Sequence, residues 1–177
     1  MFLVGFMGAG KSRVGRALAR RLGWRFVDLD RRVEALARRS IARLFRESGE
    51  SAFRRAETAE LKKLLRELRA SPATVVALGG GVPAQAENRR LLRGTRTVFL
   101  DVPAGTLWER CRRDRGKRPL VEDKRSFLRL YDTRRPHYAA ARMRVDAAKL
   151  AAGELAAEIA ERLGSTQERT SRKRERS

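Results

Sequence analysis

GFMGAGKS, residues 5–12, is the stretch that decides the fold of this chain, because it meets the pattern G-x-x-x-x-G-K-[ST] of a phosphate-binding loop. An apolar run precedes it and a helix-compatible segment follows it, which is the context in which the pattern is specific. Glycines let successive backbone N–H groups point at phosphate oxygens, and the helix N-terminus adds its positive end. Lys11 can bridge the β- and γ-phosphates, and the Ser12 hydroxyl can bind Mg²⁺. The loop therefore predicts a nucleoside triphosphate site.

Outward from the loop, short β-rich runs alternate with longer helical patterns, which is typical of a parallel sheet covered by helices on both faces. The predicted strands are residues 2–6, 25–29, 74–78, 97–102 and 143–145. The predicted helices are residues 11–22, 31–39, 41–48, 50–69, 86–92, 104–113, 126–135 and 147–163. The pattern predicts an α/β fold in three layers, doubly wound around a five-stranded parallel sheet.

The length of 177 residues predicts one compact domain, residues 1–164. Residues 165–177 are basic and lack an apolar anchor, so we expect a disordered tail. No apolar run approaches the roughly 20 residues that cross a bilayer, and the first residues lack a basic leader, so we expect a cytoplasmic protein without a membrane partner. The single cysteine, Cys111, excludes an internal disulfide and agrees with a reducing compartment.

The net charge of +21, from 42 Lys plus Arg against 21 Asp plus Glu, suits a protein that handles anions. Many of the arginines recur at helical spacing among Ala and Leu, which favours solvated helix faces. Aromatic residues make up 6% of the chain, and neither an RNP-like motif nor paired Cys and His for a zinc finger is present. A nucleic-acid-binding protein that uses the loop as a nucleotide switch stays an alternative, but we expect no specific nucleic-acid partner.

Two carboxylates, Asp28 and Asp30, end the second predicted strand and point toward the edge where open α/β sheets bind ligands. One of them can support a metal ion through water, and the other can accept a proton from a substrate hydroxyl. Alternatively, Asp30 caps the helix predicted to begin at Arg31.

The glycine triplet, residues 79–81, follows the third predicted strand. Three consecutive glycines predict that the backbone approaches another group closely, and a substrate is one candidate. A plain tight turn into Val82 and Pro83 is the alternative. Many P-loop proteins hold Mg²⁺ with an acidic residue at this position, so Asp28 is the carboxylate left for that role in this chain.

Together, these segments resemble the shikimate kinase family, which uses ATP to phosphorylate the 3-hydroxyl of shikimate in aromatic amino-acid biosynthesis. The resemblance spans about residues 1–146 and rests on GFMGAGKS, DLD, SIARLFRESGESAFRRAE, LGGG, RPL and RRPHY in this order. It implies a P-loop kinase fold with strand order 2-3-1-4-5, a substrate-binding segment at about residues 31–62 and a lid at about residues 112–125. It also implies ATP as co-substrate and Mg²⁺ as cofactor, and we expect a monomer.

The resemblance assigns shikimate binding to four residues: Asp30, Arg54, Gly80 and Arg134. Shikimate has one carboxylate and three hydroxyls, so two arginines can fork the carboxylate while Asp30 and the Gly80 N–H fix hydroxyls. Glu57 lies three residues after Arg54 on the same helix face and is expected to hold its guanidinium. Asp30 is also the candidate base.

The ATP contacts that the resemblance implies are Gly8, Ala9, Gly10, Lys11, Ser12, Arg13, Arg110 and Arg118. Of these, Lys11 and Arg118 join Asp30 as expected catalytic residues, while Ser12 and, through water, Asp28 are the expected metal ligands. Arg110 is similar to the family's adenine-stacking arginine, and Arg112 or Arg113 takes that role if the lid differs by one insertion.

Two features depart from the family pattern. Arg13 stands where the family usually has a small hydroxyl residue, and YAAARMRVD lacks the usual acidic helix before the last strand. Other small-metabolite kinases of the same fold, such as a gluconate kinase or a nucleoside-monophosphate kinase, remain alternatives. The two arginines and the glycine triplet favour shikimate.

Overall fold

Strands and helices alternate along this chain as its sequence predicts. A computed structural model describes residues 1–70, 73–113 and 123–174. The strands are β1 (Phe2–Val4), β2 (Arg25–Asp28), β3 (Thr74–Ala77), β4 (Thr97–Asp101) and β5 (Met143–Asp146). The helices are α1 (Lys11–Leu22), α2 (Leu29–Ala37), α3 (Ile41–Glu67), α4 (Ala86–Leu91), α5 (Ala104–Arg113), α6 (Lys124–Ala139) and α7 (Ala152–Arg174), with a 3₁₀ turn at Val82–Ala84.

The strands form one parallel sheet in the order β2-β3-β1-β4-β5 with helices on both faces, which confirms the predicted fold class. Leu3 of β1 pairs with Ala77 of β3 on one side and with Val98 of β4 on the other. Strands covered on both faces are apolar along their whole length, and every residue of β1 and β3 is buried. Because β1 is central, the loop after it opens in the middle of the carboxyl edge of the sheet.

The hydrophobic core fixes the helix that follows this loop. Leu18 of α1 and Ile159 of α7 are fully buried, as are Leu3 and Val76 of the sheet, and all four belong to one cluster. The helices α1 and α7 pack against each other. The N-terminus of α1 is therefore held against the sheet by burial of apolar surface, which is the dominant favourable contribution to folding.

One break interrupts α3. Gly49 has φ 77° and ψ 169°, a conformation outside the helical region that glycine adopts without steric cost. The break separates the two helices predicted at residues 41–48 and 50–69. It precedes the turns that carry Arg54 and Glu57, so those two residues belong to a helical segment that starts anew after Gly49.

The start of α2 corrects the prediction for Asp30. The helix begins at Leu29, and its N-cap is Asp28, whose Oδ1 accepts a hydrogen bond of 3.5 Å from the Arg31 N–H. An aspartate at this position satisfies a backbone donor of the first turn. Asp30 therefore neither caps the helix nor lies on the strand; it projects from the first turn of α2.

Two helix ends also differ from the predictions. The helix α6 continues through Pro136 to Ala139, beyond the predicted end at residue 135. The helix α7 begins at Ala152 and continues to Arg174, so residues 165–174 are helical where a disordered tail was expected. No Gly or Pro follows Gly164, and residues with fair helix propensity extend a helix that is already anchored.

The predicted lid, at about residues 112–125, lies largely outside the described residues, and Arg118 lies outside them altogether. Within the described ranges, the helices are too short or too polar for any of them to cross a membrane.

Candidate active site

The lysine of the phosphate-binding loop is hydrogen-bonded to carbonyl oxygens of the same loop. Gly10, with φ 86°, precedes the first turn of α1, and the Lys11 ammonium donates hydrogen bonds to the carbonyl oxygens of Gly5 (2.8 Å) and Phe6 (3.0 Å). The Ala9 N–H donates to the Phe6 carbonyl at 3.2 Å, so the loop is tightly wound. The structure therefore brings Gly8, Ala9, Gly10, Lys11 and Ser12 together at the N-terminus of α1, where backbone dipoles favour an anion.

Ser12 and Asp28 meet beside this loop. The Ser12 hydroxyl donates a hydrogen bond of 2.6 Å to Asp28 Oδ2. The described residues contain no group of three or more His, Cys, Asp or Glu side chains that could hold a metal alone. Mg²⁺ usually keeps several waters and takes its other ligands from one or two protein oxygens and the phosphates of a nucleotide. The paired oxygens of Ser12 and Asp28 fit such a shared site.

The other predicted ATP residues occupy different settings. Arg13 is exposed on α1, and its N–H donates to the Gly10 carbonyl at 2.9 Å. Arg110 of α5 reaches the turn after β5, where it donates to the carbonyl oxygens of Ala147 (3.4 Å) and Ala148 (2.9 Å). Arg112 instead pairs with Glu109 at 3.1 Å between two exposed side chains. Arg110 is therefore bound to the turn that follows β5, whereas Arg112 is bound within its own helix.

Asp30 lies close both to Lys11 of the phosphate loop and to Arg54 of α3. Burial raises the pKa of its carboxyl above the usual value, and Lys11 and Arg54 act in the opposite direction. Neighbouring carboxylates, Asp28 and Glu34, raise the pKa further. A carboxylate whose pKa is raised is a better proton acceptor than an ordinary aspartate, which suits a general base.

Arg54 is fixed by carboxylates and by aromatic rings. Its Nη1 donates to Glu57 Oε2 at 2.9 Å, and its Nε and Nη2 donate to Glu50 Oε1 at 3.1 and 3.0 Å. The guanidinium carbon also lies 5.0 Å from the Phe53 ring centre and 5.9 Å from that of Phe45. Glu57 holds the guanidinium as the sequence predicts, and Glu50 and the two rings hold it as well.

Arg134 of α6 is a buried cation, with 7% of its surface exposed. No carboxylate in the described ranges comes within ion-pair distance of its guanidinium, although the side chain is hydrogen-bonded to Tyr138 one turn later. Burial lowers the pKa of Arg134 and raises that of Tyr138. A buried cation is costly unless an anion meets it, so this guanidinium is poised for a negatively charged ligand.

The glycine triplet provides room for these side chains. The Val82 N–H donates to the Gly79 carbonyl at 3.1 Å, so the triplet does form a tight turn. A Cβ added at Gly79 would lie 2.5 Å from Asp30 Oδ1, and one at Gly81 would overlap Arg54 Nη1. Both interpretations of the triplet are therefore correct in part, because the turn is tight and its bare backbone is also approached closely by side chains of α2 and α3.

Sequence reasoning missed Gln85 and Tyr138 in this region. The Gln85 Nε2 donates to Glu57 Oε2 at 3.0 Å, and the Tyr138 hydroxyl donates to the Gly80 carbonyl at 2.5 Å. The signal for Tyr138 was its spacing of four residues from Arg134, which places the two side chains on one face if the helix continues through Pro136. No local pattern in the sequence pointed to Gln85.

A cavity of about 530 Å³ lies beside the two arginines, and its lining includes Arg54, Gly81, Gln85 and Arg134. Its size is that of a small-metabolite pocket. A larger cavity of about 870 Å³ lies at the opposite edge of the sheet, next to Met1 and Thr74 at the starts of β1 and β3. None of the predicted site residues lines it, so the smaller cavity is the candidate active site.

The chemistry of the candidate site is divided between the smaller cavity and the phosphate loop. Arg54 and Arg134 line this cavity and supply positive charge for a carboxylate, whereas Asp30 is close to Arg54 on one side and to Lys11 of the phosphate loop on the other. Such an arrangement can hold an anionic, hydroxylated molecule with a hydroxyl directed at a nucleotide on the loop.

Comparison with known proteins finds relatives that carry the same family description. The family model described as shikimate kinase matches residues 7–164. A shikimate kinase of Persephonella marina is 42% identical over 147 residues, which cover 82% of this chain and 87% of that protein. A shikimate kinase of Symbiobacterium thermophilum is 42% identical over 173 residues, covering 94% and 97% of the two chains.

Two solved structures resemble this chain to different degrees. The structure of shikimate kinase from Acinetobacter baumannii in complex with shikimate superposes with a TM-score of 0.84 at 36% identity, over 93% of this chain and 92% of that one. A deoxyadenosine kinase from M. mycoides, with dATP bound, has a TM-score of 0.59 at 14% identity over 93% and 100% of the two chains. The second likeness concerns the fold alone.

Proposed function

Since this chain belongs to the shikimate kinase family, we propose that it transfers the terminal phosphoryl group of ATP to the 3-hydroxyl of shikimate, giving shikimate 3-phosphate and ADP. The main structural support for this proposal is the buried guanidinium of Arg134. It lines the same cavity as Arg54 and has no carboxylate partner among the described residues. A nucleoside or a neutral sugar would leave that charge uncompensated.

We assign the shikimate carboxylate to Arg54 and Arg134. Arg54 is already oriented by Glu50 and Glu57, which accept hydrogen bonds from all three of its guanidinium nitrogens, so the cavity wall beside Gly81 is preformed. Arg134 is buried and has no carboxylate partner among the described residues, so it supplies a second positive charge for the ligand. Planar guanidinium groups match a carboxylate in two hydrogen bonds, which lysine cannot reproduce.

The hydroxyl groups of shikimate are assigned to Asp30 and to the Gly80 N–H. Asp30 lies near Gly79 and also feels the charge of Lys11, so a hydroxyl on Asp30 is close to the phosphate loop. As the acceptor oxygen attacks, Asp30 takes its proton. Because the transferred group carries little covalent chemistry of its own, positioning and charge neutralisation supply most of the rate.

ATP binding is assigned to the phosphate loop and to basic residues near it. Gly8, Gly10 and Ser12 present backbone N–H groups, and the Ala9 N–H and the Lys11 ammonium exchange their carbonyl partners for phosphate oxygens. Ser12 and Asp28 would hold Mg²⁺ together with waters, and bound Mg²⁺ supplies charge neutralisation of the phosphates. The remaining proposed ATP contacts are Arg13, Arg110 and Arg118.

A lid at about residues 112–125 completes the proposal. Its closure would bring Arg118 to the phosphates and exclude water, which limits wasteful hydrolysis of ATP. We further propose that the protein acts as a monomer in the cytoplasm, in the pathway that leads to aromatic amino acids. Sedimentation of the purified protein tests the monomer.

A substrate panel tests the proposed function. Release of ADP is followed with shikimate, gluconate and nucleoside monophosphates as acceptors, with ATP and Mg²⁺ present throughout. We expect turnover with shikimate and background rates with the others. Failure of shikimate to raise ADP release above the acceptor-free rate would refute the proposal, and turnover of gluconate or a nucleotide would replace it with that activity.

A further inference from the structure

The larger cavity, of about 870 Å³, plays no part in the proposed function. Its lining comes from the end of α3, from the turn between α4 and β4, and from the first residues of β1 and β3. The phosphate loop and the glycine triplet follow the carboxyl ends of β1 and β3, whereas this cavity lies at their amino ends. A molecule in this cavity therefore occupies a place separate from the candidate active site.

The charged side chains that line this cavity all have the same sign. They are Lys62, Arg66, Arg69, Arg93 and Arg96. No Asp or Glu lines the cavity within the part of the chain that the structure describes. Lys62 pairs with Glu87 at 2.5 Å, but none of the four arginines makes an ion pair with a carboxylate in the described ranges. A cleft lined by one sign of charge raises the local concentration of counter-ions, so this cavity attracts anions.

The rest of the lining is mostly apolar. Its partly buried side chains also pack against the hydrophobic core, and they include Trp24, Leu65, Leu68 and Leu91. Aromatic rings stack on tryptophan and on the guanidinium groups of arginines, and leucines add apolar surface beside them. The volume is in the range of pockets that bind small organic molecules. These properties together suit a molecule that has a flat apolar body and an anionic group.

Two other occupants match this lining less well. A second copy of this chain brings the same cations and a net charge of +21, so the two surfaces repel each other. A segment of an acidic protein matches the charge, but its backbone polar groups lose water against Trp24 and the three leucines without gaining hydrogen bonds there. A small organic anion avoids both costs.

We propose that this cavity binds a small organic anion, with a carboxylate or phosphate group on a flat apolar ring. Arginines at the end of α3 and in the turn before β4 hold the anionic group, because guanidinium groups bind either anion in paired hydrogen bonds. Trp24 and the leucines hold the ring. The site shares no residue with the cavity assigned to shikimate, so it stands or falls independently of the proposed function.

The dye anilinonaphthalene sulfonate is a suitable probe, because it joins an apolar ring system to one anionic group and fluoresces when it is bound away from water. It is titrated into the full chain with shikimate, ADP and Mg²⁺ in excess, so that the active site is occupied. We expect a single saturable site per chain. In Arg66→Gln/Arg93→Gln, which removes a cation from each of two lining segments, the dissociation constant should rise about tenfold or more.

The matched control is Arg20→Gln/Arg90→Gln. It removes two exposed arginines, of α1 and α4, that do not line the cavity, and its dissociation constant for the dye should equal that of the wild type. An equal rise in both double variants would show a general attraction of the dye to positive charge and would overturn the proposal. So would displacement of the dye by raising the ADP concentration further.

Competition against the dye tests the chemistry of the ligand. Phenyl phosphate and phenylpropionate combine a ring with an anion, whereas inorganic phosphate lacks the ring and benzyl alcohol lacks the charge. We expect both ring anions to displace the dye at concentrations about tenfold or more below those of the other two, and the tighter one identifies the anionic group. Displacement by inorganic phosphate or benzyl alcohol at the same concentration would contradict the proposal, as would tighter displacement by a polyglutamate peptide.

A measurement on the wild-type protein locates the bound anion. The chain has two tryptophans, Trp24 and Trp108, and the indole N–H signal of Trp24 is the one missing from the NMR spectrum of Trp24→Phe. We expect phenyl phosphate to shift the Trp24 signal and to leave the signal of Trp108, a residue of α5, unchanged. A Trp24 signal that does not move, or equal shifts of both signals, refutes the inference while leaving the proposed function intact; a selective Trp24 shift in a protein without shikimate kinase activity refutes the function alone.

Discussion

The Tyr138 hydroxyl donates a 2.5 Å hydrogen bond to the carbonyl oxygen of Gly80, across a sequence separation of 58 residues. This bond ties the last turn of α6 to the middle of the glycine triplet. It fixes the peptide plane that joins Gly80 to Gly81, and Tyr138 is at the same time hydrogen-bonded to Arg134. One buried phenol therefore aligns a carboxylate-binding arginine with the backbone that is proposed to meet the hydroxyls of the substrate.

Removing this hydroxyl tests the alignment. Tyr138→Phe leaves the Gly80 carbonyl without its partner, and we expect the free energy of unfolding to fall by about 1–2 kcal/mol and the shikimate KM to rise several-fold. The control is Tyr131→Phe on the same helix, whose hydroxyl donates to the Val102 carbonyl at 3.2 Å away from the triplet. Urea denaturation and steady-state kinetics check both variants. Equal shikimate KM values in the two variants would count against a role of Tyr138 in the site.

The contact between Gly81 and Arg54 predicts a selective loss of substrate binding. In Gly81→Ala the new methyl group would overlap the guanidinium, which must then leave the cavity wall. We expect the shikimate KM to rise about tenfold, since one of two carboxylate-binding groups is displaced, while the ATP KM changes little. Gly105→Ala on α5, where an added Cβ meets nothing within 4 Å, should leave both constants unchanged. An equal rise in both KM values would contradict this account.

Asp30 is proposed to act as the base, so its loss should affect turnover more than binding. Asp30→Asn keeps the shape and removes the proton acceptor, and general bases typically contribute about 10²–10⁴-fold to a rate. We expect kcat to fall by about a hundredfold or more with the ATP KM nearly unchanged. Asp132→Asn, on an exposed position of α6, is the control for a lost aspartate. Wild-type kcat in Asp30→Asn would exclude the role.

The buried carboxyl of Glu57 predicts how stability depends on pH. Its pKa rises from 4.5 to about 7 on folding, so between these pH values the folded protein binds more protons than the unfolded chain. The free energy of unfolding therefore falls as pH rises through this window. Glu57→Gln cannot ionise, and its stability relative to the wild type should grow by up to about 3 kcal/mol between pH 4.5 and pH 8. Urea denaturation at a series of pH values checks this, and a constant difference would disprove it.

The sheet and the phosphate loop could be predicted from the sequence, because apolar runs and a glycine pattern are local signals. Each predicted strand exists, with ends that differ by no more than two residues. The positions of Arg54 and Arg134 came from resemblance, since nothing in an arginine-rich chain marks two arginines as special. Arg134 is buried and Arg54 is partly buried, which distinguishes them physically, and this shielding arises only from the packing of α3 and α6 around the triplet.

Other features depended on how segments pack. Proline usually ends a helix, yet α6 continues through Pro136, and this continuation places Tyr138 one turn from Arg134. Asp28 caps α2 because this helix begins at Leu29, two residues before the start predicted from the sequence. The partnership of Gln85 with Glu57 links residues 28 positions apart, and no periodicity could reveal it.

The glycine triplet limits how this sequence can diverge. The space that a methyl group would need at Gly79 or Gly81 is already filled by Asp30, Glu57 and Arg54, which come from α2 and α3. A single mutation at either glycine is therefore disruptive unless a second mutation shortens one of those side chains. We expect the triplet and its three neighbours to be inherited together, so that a descendant without the glycines has also changed the molecule that it phosphorylates.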